Sequence, residues 1–143
     1  MVEAWDRVTK VLGAAAGAVL GFLGGWSPLV VVWVAFMVFD YLTGVVIAWL
    51  GKSPKSADGG PSSKVGWEGI AKKGFSVVIV LMAVLLDSAF DMSVIQTAVI
   101  MFYVANEGLS ILENGALLNV PMPPKMKELL LALKTKAEKP PDA

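Results

Sequence analysis

The chain contains neither cysteine nor histidine. Without cysteine there is no disulfide framework and no thiol nucleophile, and most zinc sites lose their ligands. Without histidine the usual proton shuttle near neutral pH is missing. Charge is also scarce: only 17% of the 143 residues are Asp, Glu, Lys or Arg. These absences leave little for catalysis to work with, and the chain is expected not to be an enzyme. No catalytic residue, cofactor, metal or nucleic-acid partner is expected either.

What is present in their place is apolar sequence. Hydrophobic residues make up 56% of the chain, and the mean hydropathy is +0.68, well above ordinary soluble domains. They lie in blocks: Val11–Trp26, Leu29–Leu50, Gly74 to about Phe90, and about Ser93 to Glu113. A spanning helix needs about 20 such residues for a core of roughly 30 Å. The expectation is an all-α membrane protein with about four transmembrane helices arranged as two hairpins, followed by a C-terminal amphipathic helix. The transmembrane domain covers residues 1–114, and residues 115–143 form a cytoplasmic basic helix and tail. Its first partner is the lipid bilayer. The first block also resembles a signal peptide in its basic flank, but another apolar block follows almost at once.

Block 3 is short. Its uninterrupted apolar core, Phe75–Leu86, covers only about 18 Å as helix. It spans if Lys72 and Lys73 snorkel at one end and Asp87 sits at the other interface. The alternative is a re-entrant or surface-lying segment.

The net charge of zero conceals a segregation of signs. Arg7 and Lys10 precede block 1. Lys52, Lys55, Lys64, Lys72 and Lys73 lie between blocks 2 and 3, and Lys125, Lys127, Lys134, Lys136 and Lys139 follow block 4. The connections Gly25–Pro28 and Asp87–Met92 carry no base. Positive-inside bias therefore predicts both termini and the central loop in the cytoplasm. The first half of that loop, rich in Lys, Ser, Gly and Pro, reads as a flexible connection. Its second half begins a helix capped by Ser62 or Ser63. After Pro121–Pro124, apolar residues at Met126, Leu129, Leu130 and Leu133 oppose lysines. This helix is expected on the inner leaflet or over the cytoplasmic ends of the bundle, with Lys139–Ala143 disordered.

Three features bear on function. Gly13, Gly17, Gly21 and Gly25 recur every four residues, with Ala14 and Ala18 beside them, so another helix backbone can approach closely. That helix belongs either to block 2 or to a second subunit. Asp40 lies near the middle of block 2, with Thr43 and Gly44 on its face; it either joins helices by hydrogen bonding or faces a pore. With no base at matching depth, a fixed intramembrane salt bridge is not expected. Finally, Gln96, Tyr103, Glu107, Ser110 and Asn114 share one face of block 4, flanked by Asn106 and Glu113. The stripe lines a water-filled hole, or is buried between helices in a resting state.

Several of these runs have a familiar form: Asp40-Tyr-Leu-Thr-Gly44, Ser62-Ser-Lys-Val-Gly66, Gly69-Ile-Ala-Lys-Lys73, Asp87, Asn106-Glu-Gly-Leu-Ser-Ile-Leu-Glu-Asn114, and Val120-Pro-Met-Pro123. Together they resemble the toxin-secretion/phage-lysis holin family over roughly residues 30 to 134. The resemblance implies a homo-oligomer in the bacterial inner membrane that abruptly opens lesions. These release an endolysin for host lysis, without necessary direct contact, or a toxin for export. It implies no catalytic residues, and the glycine ladder lies outside it. Two other classes remain: a small-ion channel or transporter using Asp40 and Glu107, and an anti-holin regulatory membrane protein.

Overall fold

A computed structural model describes residues 1–139. It contains five helices: α1 (Val2–Phe22), α2 (Pro28–Trp49), α3 (Ser63–Phe90), α4 (Ile95–Leu117) and α5 (Pro124–Glu138). Among the described residues there is no strand. Of the tail expected to be disordered, residues 140–143 lie outside the described residues.

Local chemistry sets the helix ends. Ser27 starts α2, its Oγ accepting from the Val30 amide at 3.3 Å with Pro28 as the first helical residue; that proline's missing N–H would be unsatisfied there anyway. Ser62, one of the two expected caps, starts α3 by accepting from the Val65 amide at 3.4 Å. At the other end of α1 the Gly25 and Gly24 amides donate to the Leu20 and Gly21 carbonyls. This closure needs a left-handed residue, which Gly24 supplies at φ 78°. The closures of α2, α3 and α4 likewise carry Gly51, Asp91 and Asn119 at positive φ.

Helices α2, α3 and α4, of 22, 28 and 23 residues, are long and apolar enough to cross a membrane. Helix α2 packs closely on α4, and α3 packs on α4, whereas α2 and α3 meet over a much smaller area. Val30 and Trp33 of α2, Val80 of α3 and Ile100 and Val104 of α4 are buried together, with Leu23 closing one end. The outer faces stay apolar: Val38, Phe39 and Leu42 on α2 and Phe75, Val78 and Met82 on α3 are exposed. So extensive an apolar exterior suits lipid rather than water.

The helix that holds the third apolar block is long enough to span, because, as the cap at Ser62 or Ser63 predicts, it begins at Ser63 and the capped segment Ser63–Lys73 continues into the apolar core without a break. Lys72 and Lys73 are therefore interior positions of α3, not its end.

Helix α1 also starts early, at Val2, but its first turns carry Glu3, Asp6, Arg7 and Lys10. The uncharged remainder, Val11–Phe22, extends only about 18 Å, and α1 is not among the helices that meet the length and composition needed to cross. Its one helix contact is with α3, and it makes none with α2. Gly13, Gly17 and Gly21 have no neighbour where a Cβ would project. Gly25 does not belong to the ladder, since it leaves the helix in the turn at φ 85°.

The central loop is a set of hydrogen-bonded turns. The Ser53 amide donates to the Gly59 carbonyl at 2.9 Å, and Ser56 Oγ donates to the Gly60 carbonyl at 2.7 Å. Gly59, at φ 75°, lies so close to the Gly51 carbonyl that a Cβ would collide with it.

Helix α5 does not lie over the end of the bundle. It folds back along α4, where Leu130 is buried. The expected amphipathic helix is present, but its apolar face is used on the side of the bundle rather than over its end.

Candidate functional site

A cleft of about 1080 Å³ is lined from α2, the central loop, α3 and α4. At its inner end Lys73 Nζ donates to Asp40 Oδ2 at 2.8 Å and to Glu107 Oε2 at 2.5 Å. The side chains of Lys73, Asp40 and Glu107 are only 18%, 14% and 12% exposed. Three helices are thus tied through one ammonium group.

This corrects the expectation that Asp40 has no base at its depth. With the membrane span read as starting at Gly74, Lys73 stood at a membrane interface. With α3 starting at Ser63, Lys73 lies about 15 Å inside the helix and reaches the level of Asp40 and Glu107. The set holds one base to two acids, and Asp40 Oδ1 is buried without a partner.

The neighbouring contacts extend the tie along the helices. Thr43 Oγ1 donates to the Asp40 carbonyl at 3.0 Å and accepts from Asn114 Nδ2 at 2.9 Å, joining α4 to α2. Tyr41 lies against Gly66 and Gly69, whose missing side chains leave room for its ring beside α3. Ser76 Oγ donates to the Lys73 carbonyl at 2.7 Å.

The polar stripe of α4 faces this interior. Tyr103, Asn106, Glu107, Ser110 and Asn114 all line the cleft. Tyr103 also stands near Trp33, with ring centroids 6.5 Å apart. Gln96 is apart from them, its Nε2 donating to the Leu23 carbonyl at 3.2 Å and so fastening α4 to the turn between α1 and α2. The structure brings Asp40 to Glu107 and Ser110 while leaving Gly13, Gly17 and Gly21 on an uncovered helix.

Two positions that the sequence reading placed only at interfaces and in the family runs take part in contacts between helices. Lys73 is one. Asp87 is the other: it is 7% exposed, and its two oxygens accept from the Ile95 and Gln96 amides at 3.0 and 2.8 Å. Residue 87 of α3 therefore satisfies the free amides that begin α4. A signal for both existed. Gly66, Gly69, Lys73, Ser76, Val80, Ala83 and Asp87 recur at alternating steps of three and four, the spacing of one helix face, and it is the inward face of α3.

The site and fold define a multi-pass membrane protein whose polar groups are gathered between apolar helices. The sequence model of the Bacteriophage holin family matches residues 17–135, and the chain belongs to that family. It is 41% identical over 115 residues to an uncharacterized 14.9 kDa protein of Clostridium perfringens, covering 79% of this chain and 82% of that one. An uncharacterized Listeria innocua protein is 38% identical over 135 residues, covering 92% and 91%. A probable holin of Bacillus phage phi105 is 37% identical over 87 residues, 60% of this chain and 59% of that one. No solved structure matches. The runs that carry the family resemblance converge in space: Asp40, Tyr41 and Thr43 meet Gly66, Gly69 and Lys73 on one side and Glu107 and Asn114 on the other.

Proposed function

We propose that the protein is a holin that oligomerises in the bacterial inner membrane and opens lesions there. The lesions release an endolysin for host lysis, or a toxin for export. Both termini and the central loop are cytoplasmic in this reading, α1 acts as a fourth span once subunits cover it, and the protein has no catalytic role.

The observation that carries the reading is the Lys73–Asp40–Glu107 set in the cleft between α2, α3 and α4. Charged groups at membrane depth must be paired or meet water. Here they are paired between three helices, beside a cleft. The set satisfies itself in a single subunit, and the same groups can meet water once subunits rearrange. Interfaces of this kind have two discrete arrangements rather than a continuous range.

Expression of the chain alone in bacteria is expected to collapse the membrane potential and, with an endolysin present, to cause sudden lysis. Normal growth and potential at high membrane levels would overturn the reading. A small-ion channel using Asp40 and Glu107 is disfavoured because the Lys73 ammonium sits where a conducted cation would bind. Release of a folded reporter protein separates the two, since a channel passes ions only. Toxicity on solitary expression separates a holin from an anti-holin.

A further inference from the structure

The cleft joins two polar parts of the molecule. Ser53, Lys55 and Ser62 line it from the central loop, and the Lys73–Asp40–Glu107 set lines it within the bundle. From Ser62 to Lys73 is about 16 Å along α3. Lys72 stands at the level of the set, exposed and lining the same cleft. It enters no ion pair among the described residues. Charged groups at membrane depth meet water or a partner charge, and Lys72 has no partner charge. The cleft is also roomy: about 1080 Å³ holds on the order of thirty waters at roughly 30 Å³ each.

Just beyond the set the lining ends. It stops at Asp40 on α2, at Ser76 on α3 and at Tyr103 on α4. Tyr103 packs against the apolar core, and its nearest aromatic neighbour there is the fully buried Trp33, with ring centroids 6.5 Å apart. Val30, Val80 and Ile100 are buried with Trp33 and complete this floor. Trp33 lies about 10 Å along α2 from Asp40, and Val80 about 10 Å along α3 from Lys73, both away from the central loop. From Lys73 to Asp87, at the far end of α3, is about 21 Å of helix. Water that reaches the set therefore has this apolar layer left to cross rather than a whole bilayer core. One group in the layer differs from the rest: Trp33 Nε1 is buried without a hydrogen-bond partner. An unpaired buried donor is unfavourable, and contact with water relieves it.

We propose that the cleft of the unassembled subunit is a vestibule that water fills from the central-loop end as far as Tyr103, and that Trp33 is the gate in its floor. Apolar constrictions close a water path by excluding water. The closed floor leaves the Trp33 N–H unpaired and the wetted floor pairs it, so this group interacts differently with the two states and favours opening. Each subunit thus brings part of a water path to the assembly, and rearrangement has only the floor to open. The gate rests on the hole-forming reading; the vestibule does not.

The full chain has no native cysteine, so single cysteines report water directly. Lys52→Cys in the exposed loop, Ser110→Cys in the cleft and Val80→Cys in the floor are each treated with a charged, membrane-impermeant methanethiosulfonate, from either side of membranes in which no lesion has opened. Ser110→Cys is expected to react from the side on which Lys52→Cys reacts, and from that side only. Val80→Cys is expected to stay unreactive until lesions open. Trp33→Phe keeps an apolar ring and removes the N–H. Losing the relief of one buried donor shifts such an equilibrium by about tenfold, so this chain is expected to open lesions several-fold later at equal membrane levels. Val80→Thr places a hydroxyl in the floor at nearly constant volume and is expected to open them earlier. Ser110→Cys that is unreactive before opening, or reactive from the side opposite Lys52→Cys, overturns the vestibule. Val80→Cys that reacts before opening, or Trp33→Phe and Val80→Thr chains that both open lesions on the parent's schedule, overturns the gate. A parent chain that opens no lesions while Ser110→Cys still reacts overturns the hole-forming reading and the gate with it, and supports the vestibule.

Discussion

Lys73 of α3 and Asp40 of α2 form an ion pair at 2.8 Å in the wall of the cleft between their helices. Lys73 also holds Glu107, so removing it orphans two acids, whereas removing Glu107 leaves a one-to-one pair. Breaking a buried pair by deleting one partner costs about 3–5 kcal/mol. Lys73→Met is therefore expected to destabilise the detergent-solubilised protein by that order, and Glu107→Leu by distinctly less. Thermal unfolding of the two variants gives the ranking; equal losses would mean that Lys73 does not serve both acids. Glu107→Leu is further expected to shift the time of lysis more than the amount inserted.

Asp87 supports α4 through two backbone amides. Asp87→Ala is expected to cost about 1–2 kcal/mol, the usual loss for a helix cap, while Asp87→Asn keeps part of it. Hydrogen exchange should report the loss first at the Ile95 and Gln96 amides. Unchanged protection there would mean that the cap contributes nothing.

Gly108 is the seat of Leu130. A leucine at this position would occupy the volume of the Leu130 methyl groups, so Gly108→Leu is expected to displace α5 and expose it to protease. Adding Leu130→Ala is expected to restore part of the docking, a coupling on the order of 1 kcal/mol for residues in contact. Additive effects would place the two apart.

A side chain added at Gly17 or Gly21 would meet open space within one subunit. Gly17→Leu with Gly21→Leu is accordingly expected to leave monomer stability within about 0.5 kcal/mol, as for surface changes generally. The same pair is expected to weaken cross-linking between subunits and to delay lysis. A large loss of monomer stability would assign the ladder to an intramolecular contact instead.

How much of this was legible in the sequence depends on how far each feature depends on neighbours in the chain. The three helices α2, α3 and α4 were legible from apolar run length, and the cap at Ser62 from local turn chemistry. The inward stripe of α4 was legible from its period alone. The depth of Lys73 was not, because the polar run from Ser63 to Lys73 lies outside the apolar block even though the cap at Ser62 starts the helix ahead of it. Where the apolar block begins within α3, rather than where the helix begins, concealed the role of Lys73.

By itself, the sequence determined that the chain is helical, apolar and built for a membrane, since run length, glycine and proline placement and charge segregation act over short distances. It also carried the family, in runs that are separate along the chain. Only the tertiary structure decided that those runs meet at one ammonium group and that Asp87 starts the next helix. It alone laid α5 along α4. Each of these depends on which helix faces are adjacent, and packing between helices settles that rather than the order of residues within any one of them.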